Sequence, residues 1–204
     1  MSLLLQFIRS LTEFSDESWK MLQPALTVKT YKKNELLLQE GQVCNSLFYI
    51  EKGYCRSFYD IDGTDKNTEF FFENEIATNV DSFGNGQVSA YNIIACEPLT
   101  VIIFDKAKLF QAAQECREIE NLGRHCVRLI ATKQEKFATL FKLYSAQERL
   151  EYVEQKYPEM TQRISLSQLA FFWELQGKPL AEFANGEFPV NFVTIVTGNT
   201  PRHF

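Results

Sequence analysis

The sequence predicts an α+β protein: an antiparallel β-roll with flanking helices, followed by a long helix and a smaller helical domain. Three observations carry that expectation. Apolar and polar residues alternate at period two from Val28 to Phe104. Two glycines, Gly41 and Gly53, bracket the apolar run Leu47 to Ile50, each where a tight turn needs a backbone angle that other residues resist. Beyond Cys116 the period changes, and Ile119, Leu122, Cys126, Leu129, Lys133, Phe137 and Leu140 fall at steps of three and four.

Each element follows from local signals. Leu4, Phe7, Ile8 and Leu11 share a face at helical spacing and predict a short first helix. Ser15 caps a second, whose face continues through Trp19, Leu22 and Leu26. Strands are expected over 27–31, 35–38, 47–50, 53–59, 68–72, 90–96 and 99–104, with Asp62-Gly63 as a hairpin turn. Many short strands at regular spacing suggest a roll or barrel. Asp105 caps a short helix over 106–113, and a long one runs over 116–143. Tyr144 to Leu150 opens another helix, ended by Tyr157-Pro158.

The composition narrows the function classes. The 204 residues allow one large domain or two small ones, and 45% hydrophobic content with 18 Phe supplies a core. Net charge is −5 and the pI about 5.2, so any DNA contact needs a local basic cluster. No run reaches the length of a membrane span, and the start of the chain lacks a signal-peptide pattern. Five scattered cysteines (Cys44, Cys55, Cys96, Cys116 and Cys126), without a Cys-x-x-Cys pair, point to reduced, buried thiols in a cytoplasmic protein and away from an iron–sulfur cluster.

The glycine-bracketed stretch from Leu36 to Arg56 resembles the effector domain of the catabolite-activator (Crp/Fnr) family of bacterial transcription regulators. The resemblance covers roughly the first four-fifths of the chain. It implies a cyclic-nucleotide-binding-like jelly roll over 1–143, including a dimerisation helix over 116–143. It also implies a winged helix-turn-helix DNA-binding domain over 144–204, abnormal after Phe172. Ser145-Ala146-Gln147-Glu148-Arg149 is similar to what members show at the start of that second domain. On the resemblance, Ile119, Leu122, Cys126, Leu129, Phe137 and Leu140 would pair with a second copy in a homodimer. Periodicity alone leaves open whether the same face packs on the chain's own roll, and Lys133 on the seam speaks against pairing.

In relatives that bind cyclic AMP, a Gly-Glu pair at a short helix reaches the ribose and an arginine soon after meets the phosphate. Here Thr78 and Asn79 stand at the Gly-Glu place and Ser89 nearest the arginine's. No Lys or Arg occurs between Lys66 and Lys106, while Glu69, Glu73, Glu75 and Asp81 add negative charge. A phosphate beside such carboxylates is repelled by on the order of 1 kcal/mol per close pair. The expectation is therefore no cofactor and no cyclic AMP binding. Thr78, Asn79, Val80, Ser82, Ser89, Ala90 and Tyr91 remain as candidates to line a pocket for an unknown neutral or differently charged effector, or else a pocket that is only scaffold.

The stretch from Thr161 to Phe172 resembles the first helix of the family's helix-turn-helix, with Ser165, Ser167 and Gln168 at its start and Ser165 and Gln168 forming a capping box. The expected Leu-Gly turn and basic recognition helix do not follow. Pro179 interrupts the segment, and after Arg163 only Lys178 and Arg202 are basic. Shifting the frame one nucleotide upstream at the Phe172-Trp173-Glu174 junction forces Leu-Gly and then permits an Arg-rich helix. The sequence thus suggests a frameshift near the codon for Trp173, in the gene or its recorded sequence.

Enzyme readings find little support. His125 and His203 are the only histidines, without a second ligand at helical spacing. Gly84-Asn85-Gly86 reads as a turn, and Glu73 and Glu75 as a solvated face. The expectation is a non-enzyme: a regulator contacting DNA if its recognition helix is intact, or alternatively a stand-alone ligand-binding or dimerisation module.

Overall fold

The computed structural model describes residues 3–144 and 146–165. Helix α1 (Leu3–Leu11) buries Leu4, Leu5 and Ile8. Helix α2 (Asp16–Leu22) starts at Ser15, whose hydroxyl accepts from the Ser18 amide as the sequence predicts. The strands are β1 (Leu26–Tyr31), β2 (Leu36–Leu38), β3 (Ser46–Lys52), β4 (Cys55–Ile61), β5 (Thr64–Phe71), β6 (Ile76–Ala77), β7 (Asn92–Ala95) and β8 (Leu99–Asp105). Helix α3 (Val80–Asn85) lies between β6 and β7 in the chain. Helices α4 (Lys106–Glu115), α5 (Arg117–Leu143), α6 (Ala146–Lys156) and α7 (Pro158–Arg163) follow.

Two four-stranded sheets face each other, in the orders β1-β8-β3-β6 and β2-β7-β4-β5. Antiparallel register sets Leu26 opposite Phe104 and Cys55 opposite Ala95. The two-residue period then sorts side chains to two cores. Phe48, Ile50, Leu99 and Val101 turn inward against Cys55, Phe71, Ile93 and Ala95 of the other sheet. Tyr49, Ile102 and Phe104, one step out of phase, turn outward against helices α1, α2, α4 and α5.

The turns behave as their residues demand. Gly41 and Gly53 have φ of +83° and +91°. Asp62 and Gly63, at +53° and +78°, form the expected two-residue hairpin between β4 and β5. Asp105 caps α4 by accepting from the Lys108 amide at 2.9 Å.

Four expectations need correction. Gly84 belongs to α3 and only Gly86, at φ +72°, turns the chain. Glu73 and Glu75 are half-buried, not a solvated face: Glu73 accepts from the Gly53 amide at 2.8 Å and Glu75 from the Phe72 amide at 2.9 Å. Thr161 to Arg163 close a separate short helix that starts at Pro158, and Ile164 is extended at its C-terminus. Ser165 lies beyond that helix; Ser167, Gln168 and everything after them lie outside the described residues.

The fourth correction concerns α5. Ile119, Leu122 and Cys126 are buried in the core that the chain's own helices and sheet build, so they are not free to meet a second copy. A three-and-four spacing reports that a helix has an apolar face, not whose surface covers it. Leu129 is exposed, as are Val127 and Leu143.

The chain divides into two compact units. One comprises residues 1–64 and 68–131 and holds the roll with its flanking helices. In the other, made of 65–67 and 132–204, Leu140, Val153, Met160 and Ile164 are buried, and the Phe137 ring stacks on Tyr157 at 5.7 Å. No helix among the described residues is long and apolar enough to cross a membrane.

Candidate functional site

The residues that the sequence singles out for a pocket come together around α3, but they satisfy one another. Asn79 is the N-cap of α3, its side-chain oxygen accepting from the Ser82 amide at 3.0 Å. Its amide group donates to the Ser89 hydroxyl at 2.8 Å. Ser89 in turn donates to the Tyr91 carbonyl at 2.6 Å. The Ser82 hydroxyl donates to the Gln87 carbonyl and accepts from the Cys44 amide at 2.8 Å. Thr78 donates to the Ser46 carbonyl at 3.1 Å. The bond pattern is that of a braced loop whose polar side chains are bonded to one another and to nearby backbone.

The electrostatics point the same way. Among the described residues, the buried polar side chains are all Ser, Thr or Asn and none is charged. Burial pushes the Tyr91 phenol well above its ordinary range, helped by the negative charges of Glu69 and Asp81, so it stays neutral. Tyr91 is half-buried, and Val80 and Ala90 are exposed.

A second feature is an open groove of about 760 Å³ between α3, α4 and α5. Its walls are mostly apolar and include Leu47, Val80, Phe83, Phe110, Val127 and Ile130. Thr78 is the point where the groove adjoins the polar cluster. Sequence reasoning missed this groove because separated segments of the chain build it, and no one of them carries a local sign of it. Among the described residues no group of three or more His, Cys, Asp or Glu is placed to hold a metal.

No curated protein matches the chain. Residues 28–116 match the family model of the cyclic nucleotide-binding domain. Among solved structures, a cyclic nucleotide-binding domain from Methylobacillus flagellatus is similar at 17% identity and a TM-score of 0.59, over 68% of this chain and 80% of that one. DNR from Pseudomonas aeruginosa is similar at 17% identity and a TM-score of 0.53, over 69% of this chain and 64% of that one. The catabolite activator protein of Thermus thermophilus is similar at 12% identity and a TM-score of 0.51, over 64% of this chain and 62% of that one. This chain thus spans less than two thirds of both DNR and the catabolite activator. Its β-rich part has the antiparallel jelly-roll fold of the cyclic nucleotide-binding domain.

Proposed function

We propose that the chain is a Crp/Fnr-like transcription regulator whose roll no longer holds a cyclic nucleotide. It acts by binding and not by catalysis, in the cytoplasm, as a homodimer. The observation that carries this reading is the neutral, self-bonded cluster of Thr78, Asn79, Ser82 and Ser89 inside a cyclic nucleotide-binding fold. A buried phosphate needs a cation and free N–H donors to replace its hydration. This cluster offers hydroxyls and an amide that are already bonded. The fold shared with DNR and the catabolite activator supports a regulatory role.

In such a regulator an effector would shift the relation of two paired long helices and so re-space the DNA-reading heads. The exposed Val127 and Leu129 support pairing through α5 in place of the residues that the chain's own core takes. The basic content after Arg163, only Lys178 and Arg202, favours a second reading for the chain as it stands: a stand-alone ligand-binding or dimerisation module with impaired DNA contact.

Two experiments test these readings. Titration calorimetry of the full chain with cyclic AMP is expected to show no heat of binding at micromolar protein; saturable micromolar binding would sink the first. Gel shift on promoter DNA is expected to retain a frame-restored version and not the chain as it stands. Equal retention of the two would defeat the account of the tail.

A further inference from the structure

Strand β1 is an open edge. It pairs with β8 on one side, through six consecutive residue pairs without a bulge, and ends its sheet on the other. Its residues Thr27 to Thr30 are all exposed. Among the described residues, no hydrogen bond outside the β8 ladder involves any of the four. Alternate residues of a strand turn their backbone N–H and C=O groups to opposite sides, so one set of those on β1 faces solvent. The other edges offer less. β2 and β6 have three and two residues, and β5 gives residues 65–67 to the other compact unit.

The edge is also basic, in a chain of net charge −5. Lys29 lies within it, and Lys32 and Lys33 follow it directly. Lys52 stands opposite Thr100, which is opposite Thr30, two strands in from the edge. Among the described residues none of these four lysines makes an ion pair. Glu35 is the acid of the same stretch, and its carboxylate accepts from the Lys32 amide at 2.9 Å. The Lys29 ammonium stands 4.3 Å from the Tyr31 ring centre, and Tyr31 is buried in the core between the sheets. This side chain therefore lies over the face of the sheet and leaves the edge clear. Val28, on the opposite face, is 64% exposed.

We propose that β1 takes up an extended acidic segment of a partner protein as a further antiparallel strand. The unpaired backbone selects a strand, because only a second backbone presents N–H and C=O groups at the same spacing. The lysines select its charge. Lysine on an edge ordinarily keeps like strands apart, and by the same force it draws an acidic one. A second copy of β1 would bring the same lysine and no acid. A nucleic acid would answer the lysines and leave the backbone groups unpaired. Cross-strand neighbours share a face, so the partner carries an acid opposite Lys29 and a β-branched residue opposite Val28. Acids recur where it passes Lys32 and Lys33. The proposal is independent of whether the roll binds an effector or the chain reads DNA.

The test is fluorescence anisotropy of the full chain with a labelled peptide, Asp-Glu-Thr-Val-Glu-Val-Thr, which meets those terms when it runs antiparallel from Lys33 to Thr27. The expected result is saturable binding at one site per chain, about tenfold tighter than a peptide with Asn and Gln in place of its acids. Lys32→Glu combined with Lys33→Glu is expected to weaken binding by a similar factor. Both side chains are exposed, and an unchanged circular dichroism spectrum checks the fold. Two further peptides carry N-methyl groups on alternate amides, in the two possible phases. One phase removes the donors that face β1 and is expected to abolish binding; the other faces solvent and is expected to retain it. Absence of binding would overturn the proposal. So would full affinity in the lysine variant. Equal behaviour of the two methylated peptides would overturn it too, by showing charge attraction without strand pairing. A single-stranded DNA oligonucleotide that competes for the site while both methylated peptides still bind would overturn it by assigning the lysines to nucleic acid.

Discussion

The side-chain amide of Asn79 donates to the Ser89 hydroxyl at 2.8 Å, with the two residues only 5% and 1% exposed. The same Asn79 caps α3, so a single side chain joins the start of the helix to the strand-forming segment beyond it. Asn79→Ala removes a cap and leaves a buried hydroxyl short of a partner. The expected cost is about 2–3 kcal/mol. Urea denaturation followed by circular dichroism measures it, and a change under about 0.5 kcal/mol would show that the cluster is not a brace.

Gly41 and Gly53 share a left-handed backbone but not their surroundings. A Cβ at Gly41 meets nothing within 4 Å, so Gly41→Ala is expected to cost about 1–2 kcal/mol from the backbone angle alone. At Gly53 the same atom would lie 2.6 Å from the Pro98 carbonyl oxygen. Backbone on both sides must then move, and Gly53→Ala is expected to cost about 3–4 kcal/mol. The order of the two denaturation midpoints checks the argument. Equal midpoints would mean that the turn relaxes freely.

These glycines also show why much of the fold was legible in the sequence. A positive φ, a cap at Ser15 or Asp105 and a turn at Asp62-Gly63 are decided within a few residues, so residue type reports them directly. Period two likewise placed Phe48 and Ile50 on one side and Tyr49 on the other. What was not legible depends on distant partners. Strand β6 has two residues, too few for any period to register. The ownership of Ile119, Leu122 and Cys126 was decided by α1, α2 and the outer face of β3 and β8. At the candidate site the residue names were legible but their mutual hydrogen bonds were not.

Thiol reactivity should follow burial. Burial pushes the Cys96 thiol up to about 11, although Arg56 beside it pulls the other way, and pushes Cys126 up to about 11. The thiolate is the reactive form, so both are expected to resist alkylation at about pH 8 in the folded protein. Cys116 is half-buried and the other four cysteines are buried, so Cys116 should be modified first. Mass spectrometry of peptides after brief iodoacetamide treatment reads the order. Early modification of Cys126 would mean that the outer core opens readily at α5.

Glu118, near the start of α5, reaches back 103 residues to accept from the Ser15 amide at 2.7 Å. That backbone hydrogen bond, with help from the Ser18 and Ser15 hydroxyls, lowers the carboxyl below its ordinary 4.5. Hydrogen bonds to the ionised form favour it, so the sign is fixed: the folded state binds its proton less readily than the unfolded chain. The contribution to stability is therefore complete above the ordinary carboxylate range. It is lost as pH falls through the depressed value. Glu118→Gln keeps the shape and removes the charge. Its melting temperature is expected to lie below that of the unaltered chain at about pH 7 and to converge on it as the solution is acidified through the carboxylate range. The carboxylate is exposed, so the gap is expected to be small, and added salt should narrow it. A gap that persists unchanged into strong acid would mean that the charge of Glu118 does not hold α2 to α5.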